Sequence, residues 1–322
     1  MKEKFEELSS SYAKTDFGRI NLSYGEKEFY RKLNNEIVLL CKSLPDSIQT
    51  DASLFFMKYS GTTIGQDLDF FKNYYVPAWS IVYWIVQSDH RGKPLPKSDI
   101  KNGITVHSMA MFLHSLDDHL SDGQMPVTHL ALLLRSQSWL IMNAALNHLT
   151  HGVKGGKQFA QRFIQDYYSS VCSSDDFASL DSYCDLFRKQ MAIGLIVPVL
   201  LATKKSGDEE FVRAIQTAYG SFGIAWRLLD DIQDVETDMM RCAHSAIYVC
   251  LPDEIRHHWD KDTEDKKKGL AKIISDYVIE NKIIDRIKKR IGKELEAAAF
   301  IANGCKMSGL ADEFYSLLRP LR

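Results

Sequence analysis

Long stretches of this chain repeat apolar side chains every three to four residues, and little else in it offers a competing fold. The period runs through VTHLALLLRSQSWLIMNAALNHL (127–149), LDSYCDLFRKQMAIGLIVPVLLA (180–202), AIQTAYGSFGIAWRLLDDIQDV (214–235) and residues 268–302. Each is far longer than an ordinary strand. Eight prolines in 322 residues, with few Asn-Gly or Asp-Gly turns between alternating segments, argue against an all-β chain. The spacing predicts an all-α fold of roughly ten helices with a sizeable core. The stretch 268–302 has a basic middle and reads as an outer helix. Breakers fall at 61–67, 91–99, 121–126, 150–157, 172–176, 204–210 and 251–269. With no internal repeat and no low-complexity linker, residues 1–322 are expected to form a single domain.

Charge excludes some partners. Lys and Arg number 40 and Asp and Glu 42, a net charge of −2, so no net field favours nucleic acid or an anionic membrane. The six cysteines (Cys41, Cys172, Cys184, Cys242, Cys250, Cys305) form no CxxC pair and read as reduced thiols of a cytoplasmic protein. The opening MKEKFEELSS lacks the apolar stretch of a signal peptide. The longest apolar run, Met191 to Ala202, contains Pro198 and is too short to cross a bilayer.

Two aspartate clusters stand out against this background. Asp117, Asp118 and Asp122 follow the apolar run MAMFLHSL; Asp230, Asp231 and Asp234 follow FGIAWRLL. On a helix, Asp118 and Asp122 share a face, as do Asp230 and Asp234. Carboxylates massed behind apolar residues repel one another and lose hydration unless cations collect there. Oxygen-only clusters suit Mg²⁺, which usually takes one or two carboxylates and leaves its other positions to water and phosphate oxygens. Two such clusters facing each other would clamp a diphosphate through metal ions.

In these residues the chain resembles the trans-isoprenyl diphosphate synthases, the polyprenyl synthetase family of the isoprenoid synthase fold. FGIAWRLLDDIQDV is similar to that family's G-x-x-F-Q-x-x-D-D-x-x-D. FRKQMA (187–192) resembles its K-T-A motif, with Lys189 in the diphosphate-binding lysine's place. Gln165, 24 residues earlier, resembles the glutamine of G-Q-x-x-D. The matches run in order from about residue 105 to 250. The resemblance implies an all-α bundle around a central cavity, an allylic isoprenyl diphosphate as substrate, and three Mg²⁺ ions held by Asp117, Asp118, Asp122, Asp230, Asp231 and Asp234. It also implies Lys189 and Gln165 on the diphosphate, Phe112 limiting the cavity to a short or medium prenyl chain, and a homodimer. Arg227 stands where the family has glutamine. Two roles are open to it, a diphosphate contact or an ion pair with a nearby aspartate.

The departures concern the second substrate. The family cradles isopentenyl diphosphate with G-K-R-x-R and a later R-R pair; here FFKNYYVP (70–77) retains only Lys72, and Gly-Gln-Met-Pro follows Asp122. Charge-assisted contacts are the strong ones, so ordinary chain elongation lacks its usual support. The expected activity is a prenyl-transferring enzyme with an open choice of acceptor. The alternatives are a terpene synthase built on a prenyltransferase-type frame, or a non-catalytic partner subunit of a prenyl synthase.

Overall fold

The computed structural model describes residues 15–321 except Arg19, Ile64, His90, Arg91, Asp122 and residues 173–176; of Lys267 and Lys268 only the backbone is described. These residues form sixteen α-helical segments and no strand. They begin with α1 (Tyr24–Lys42), α2 (Asp46–Ser60), α3 (Pro77–Gln87), α4 (Lys97–Ser121), α5 (His129–Thr150) and α6 (Gly156–Val171). Then come α7 (Leu180–Gln190), α8 (Ala192–Ser206) and α9 (Glu209–Gln233). Four short helices follow, α10 (Val235–Arg241), α11 (Ala246–Val249), α12 (Asp253–Trp259) and α13 (Thr263–Asp265). The chain closes with α14 (Ala271–Glu280), α15 (Ile283–Gly304) and α16 (Ser308–Leu318). The excess over ten comes largely from α10–α13. Two of these lie within 251–269, a stretch whose composition reads as a breaker.

The centre is α8. Residues 192–202 are buried without interruption, as a helix apolar on every side must be. It packs against α3, α4, α6 and α9. The periodic stretch 180–202 is therefore not one helix: α7 and α8 meet at Met191 at 67°. A straight helix would have drawn the exposed Asp181, Asp185 and Arg188 into the core along with the apolar half; the bend leaves them in water. No single helix among the described residues is long and apolar enough to cross a membrane.

The stretch 268–302 departs from its reading as an outer helix. It breaks at Lys282, which adopts left-handed φ 52°. The second piece, α15, buries Ile283, Ile287, Ile291, Leu295, Ala298 and Ala302 and makes its most extensive contact with α9. The basic residues that suggested exposure lie on the opposite face, so one helix satisfies both. The buried apolar side chains form one contiguous cluster.

The last helix is tied to the first elements through a carboxyl group. Glu313 on α16 accepts from the Ser80 hydroxyl at 2.7 Å and from the Trp84 indole N–H of α3. Burial holds its carboxyl well above the usual carboxylate range, and the adjacent Glu26 of α1 acts the same way. Glu26 Oε1 is buried without another partner, so a protonated Glu313 supplies the donor it needs. The folded chain thus keeps a proton that the unfolded chain releases at the ordinary glutamate value, and stability falls as pH rises above that value. Glu313→Gln keeps a neutral donor and removes this slope. Urea unfolding between about pH 5 and pH 8 should show the wild type losing stability more steeply than the variant; parallel profiles would contradict the assignment.

Candidate functional site

Helices α4 and α9 flank α8 and end in the two aspartate clusters. Between them, Ala110, Met111 and His114 of α4 face Tyr219 of α9, with Trp79, Met191 and Gly194 closing the sides. These side chains leave no space between them for a water molecule. They close up because two glycines let bulky neighbours approach. A Cβ on Gly223 would lie 1.8 Å from the Met191 sulfur, and one on Gly194 2.2 Å from the Tyr219 hydroxyl. His114 stands one helical turn before Asp118, so this apolar gap runs up to the first cluster.

Within that cluster the two neighbouring aspartates differ. Asp117 accepts from Arg135 of α5 through Nε on Oδ1 at 2.6 Å and Nη2 on Oδ2 at 3.0 Å. The Tyr167 hydroxyl of α6 donates to Oδ2 at 3.0 Å. Both oxygens are thus engaged, and the expected role of Asp117 as a metal ligand would require this pair to open. Asp118 is exposed. Asp122 lies outside the described residues.

The second cluster repeats the division. Asp231 is 1% exposed. Its Oδ2 accepts from the Tyr183 hydroxyl of α7 at 2.7 Å and the Ala246 N–H at 2.9 Å, while Oδ1 lies 3.1 Å from Arg227 Nε. The same Nε donates to the Tyr183 hydroxyl at 2.8 Å. Of the two roles open to Arg227, the structure shows the ion pair. Asp230 is only partly covered, with Arg227 Nη1 at 3.5 Å from its Oδ2. Asp234, at the end of α9, is exposed.

The open carboxylates of the two clusters act on common neighbours. Burial pushes the Asp230 carboxyl up to about 7; the charges of Asp231, Asp234 and Asp118 add to this, and Arg227 opposes it. Tyr74 is raised by burial and then by the charges of Asp118 and Asp230 together. Its phenol therefore stands within reach of both clusters. Asp230 also walls a cavity of about 240 Å³ with Thr15, Asp16, Phe17, Trp226, Leu229 and Gln233. The N-terminal segment is pinned there: Gln233 donates to the Thr15 carbonyl at 2.8 Å, and Phe17 packs on Trp226 with centroids 6.4 Å apart.

Other expected residues stand apart. Gln165 is exposed on α6, two positions before Tyr167 and hence on the other side of that helix. Lys189 is exposed in the last turn of α7, two positions beyond Phe187, whose ring lies under Arg227 at 5.6 Å. Phe112 is fully buried in an aromatic group with Phe56 and Phe70, centroids 4.9 and 5.7 Å away, and lines neither of these two cavities. Lys72 donates to the Gly61 carbonyl at 2.9 Å. Arg135, Tyr167, Tyr183, Tyr74 and the Thr15–Phe17 segment were not legible as site residues, since each reaches the clusters from a different element.

The donor set can be weighed against Mg²⁺. Among the described residues, no three His, Cys, Asp or Glu side chains converge as a ready metal cage; Mg²⁺ usually takes one or two carboxylates and fills its shell with water and phosphate. The open oxygens of Asp118, Asp230 and Asp234 fit such an ion; those of Asp117 do so only if Arg135 and Tyr167 leave, while Asp231 Oδ1 is buried without a hydrogen-bond partner and faces the Arg227 guanidinium.

No protein-family model matches the chain, and no curated protein matches its sequence. Solved structures share its fold. The chain is similar to geranylgeranyl pyrophosphate synthetase from Pyrococcus horikoshii Ot3, with TM-score 0.58 and 12% identity over 97% of this chain and 98% of that one. It is also similar to polyprenyl synthetase from Streptomyces coelicolor A3(2), with TM-score 0.60 and 12% identity over 90% of this chain and 96% of that one. The fold is that of the trans-isoprenyl diphosphate synthases.

The division within each cluster gives a test of structural against functional aspartates. Asp231→Ala removes a buried carboxylate and leaves the Tyr183 hydroxyl and the Ala246 N–H without their acceptor, and should cost about 1–3 kcal/mol. Asp118→Ala should stay within about 0.5 kcal/mol of the wild type, and Asp230→Ala should not destabilise the fold at neutral pH, because it removes a carboxyl whose charged form burial disfavours. Chemical denaturation of the three variants checks this, and equal losses in all of them would contradict it.

Proposed function

We propose that the chain is a prenyl-transferring enzyme that ionises an allylic isoprenyl diphosphate between α4 and α9. The observation that carries the reading is the pair of open carboxylates, Asp118 and Asp230, at the ends of two helices with an apolar gap between them and close enough for their charges to act on each other and on Tyr74. In this reading Asp118, Asp230 and Asp234 hold Mg²⁺, which when bound supplies charge stabilisation to the departing diphosphate. Asp117 and Asp231, fixed by Arg135, Tyr167, Arg227 and Tyr183, hold the two helix ends in register, so that the open carboxylates are aimed before substrate arrives. Lys189, two residues before the cavity-lining Met191, keeps the part of a point charge for the diphosphate; Gln165 is the more remote candidate.

The prenyl tail enters the gap lined by Met111, His114, Met191 and Tyr219. That gap admits no water in this structure, so a tail enters only as the lining moves, with the flexible thioether of Met191 yielding first. Trp226 and Phe17 offer aromatic faces beside Asp230, where a carbocation would be favoured. The Thr15–Phe17 segment covers that side of the site, which supports exclusion of water from the reacting carbon.

The acceptor follows from the missing basic cradle. Lys72, its remaining member, is engaged by a backbone carbonyl. This favours capture of the cation by an acceptor without a diphosphate, or by a double bond of its own chain as in a terpene synthase, over addition of isopentenyl diphosphate. The role of a non-catalytic partner fits less well, since such a subunit gains nothing from keeping costly open carboxylates at both helix ends.

The test is incubation of the purified protein and Mg²⁺ with geranyl, farnesyl and geranylgeranyl diphosphates, each with and without isopentenyl diphosphate, and mass spectrometry of the products. The expected result is loss of the allylic diphosphate and release of pyrophosphate without need of isopentenyl diphosphate. Asp230→Ala should slow this about a hundredfold or more while leaving the helical spectrum unchanged. A variant as active as the wild type would overturn the reading.

A further inference from the structure

Each aspartate cluster contains the same unit of arginine, aspartate and tyrosine, assembled from unrelated parts of the chain. In the first, Arg135 grips both oxygens of Asp117 and Tyr167 donates to one of them. In the second, Arg227 faces one oxygen of Asp231 and Tyr183 donates to the other. Each unit stands directly beside an open aspartate, Asp118 in one cluster and Asp230 in the other. Arg227 also reaches Asp230 at 3.5 Å.

A guanidinium is a permanent cation, and these two are held in place. Arg227 is fixed by the Tyr183 hydroxyl at 2.8 Å and lies over the Phe187 ring at 5.6 Å; Arg135 is fixed by two hydrogen bonds to one carboxylate. The planar fork of Arg135, bound to both oxygens of one carboxylate, does not give up its partner as a loosely tethered ammonium would; Arg227 is held by Tyr183 and Phe187 and faces Asp231 Oδ1 as a charge, without a hydrogen bond to it. A divalent ion arriving at Asp230 or Asp118 therefore meets a carboxylate cluster already part-neutralised, with a positive charge a few ångströms away.

From this repeated geometry we infer that Arg135 and Arg227 are internal counter-cations, each taking the place of a divalent ion at its cluster, so that the chain binds fewer divalent ions, and more weakly, than its aspartates alone would hold. The inference deepens the proposed function and rests on it for the open aspartates being the metal side of the site. It makes Arg227 and Arg135 the residues that set metal stoichiometry and affinity.

The experiment uses the full chain without substrate and Mn²⁺ as the probe, titrated by calorimetry and by electron paramagnetic resonance of the free ion. Wild type is compared with Arg227→Gln, Arg227→Lys and Arg135→Gln, each checked for folding by circular dichroism. Removing the charge should tighten Mn²⁺ binding on the order of tenfold or more, or add one bound ion, in both glutamine variants; Arg227→Lys, which keeps the charge, should stay near the wild type. Should Arg227→Gln fail to fold because Asp231 is left buried and unpaired, Arg135→Gln carries the test, since Asp117 and Arg135 are 12% and 31% exposed and water can replace the partner. Equal stoichiometry and affinity in wild type and glutamine variants would overturn the inference. That result beside normal turnover of an allylic diphosphate would leave the proposed function standing; tighter Mn²⁺ binding in the variants with no turnover in the wild type would do the reverse.

Discussion

Negative charge at the closed ends of two apolar helices is the constraint on which the rest of this site depends. Asp117 and Asp118 lie in the last turns of α4, and Asp230 and Asp231 in those of α9. There the unpaired carbonyls already make the helix end negative, so an aspartate is unfavourable twice over, by the helix field and by its neighbour. The chain meets half of that cost internally, with one arginine and one tyrosine per cluster, and leaves the other half open. In the proposed function, the open half is the part that meets the metal and the diphosphate.

That division also explains why the surrounding helices sit where they do. Arg135 comes from α5, Tyr167 from α6 and Tyr183 from α7, so three consecutive helices converge on the ends of α4 and α9. The bend at Met191 is what allows this. It lets α7 run along the surface with Tyr183 turned inward to Asp231, while α8 continues through the core. Gly223 and Gly194 then let Met191 and Tyr219 fill the space beneath the clusters. Shape and charge are thus set by the same few contacts, and the likeness to solved prenyl synthase structures extends over nearly the whole chain at 12% identity.

The helical class was legible in the sequence because apolar periodicity over twenty or more residues has few other solutions. The two aspartate clusters were legible for a similar reason, since doubled carboxylates behind apolar runs are rare without a purpose. What periodicity could not show was where a helix bends or which side of it meets the core. The stretches 180–202 and 268–302 each divide in two, and α15 is an inner helix whose basic residues disguised it. Nor could spacing along the chain distinguish Asp117 from Asp118 or Asp231 from Asp230. The difference lies in Arg135, Tyr167 and Tyr183, which are 18, 50 and 48 residues from the aspartates they hold. Such partners become visible only once the helices are packed.

In the proposed function the open aspartates, and not their arginine-bound neighbours, face the metal and the diphosphate. The most direct measurement is a crystal structure of the full chain with Mn²⁺ and a non-hydrolysable allylic thiolodiphosphate, with the ions located by anomalous scattering. The expected result is Mn²⁺ between the ligand and Asp118 on one side and Asp230 or Asp234 on the other, with Arg135 and Arg227 still on Asp117 and Asp231. Mn²⁺ coordinated by Asp117 or Asp231 with the arginines swung away, or no ion between the two helix ends, would contradict it.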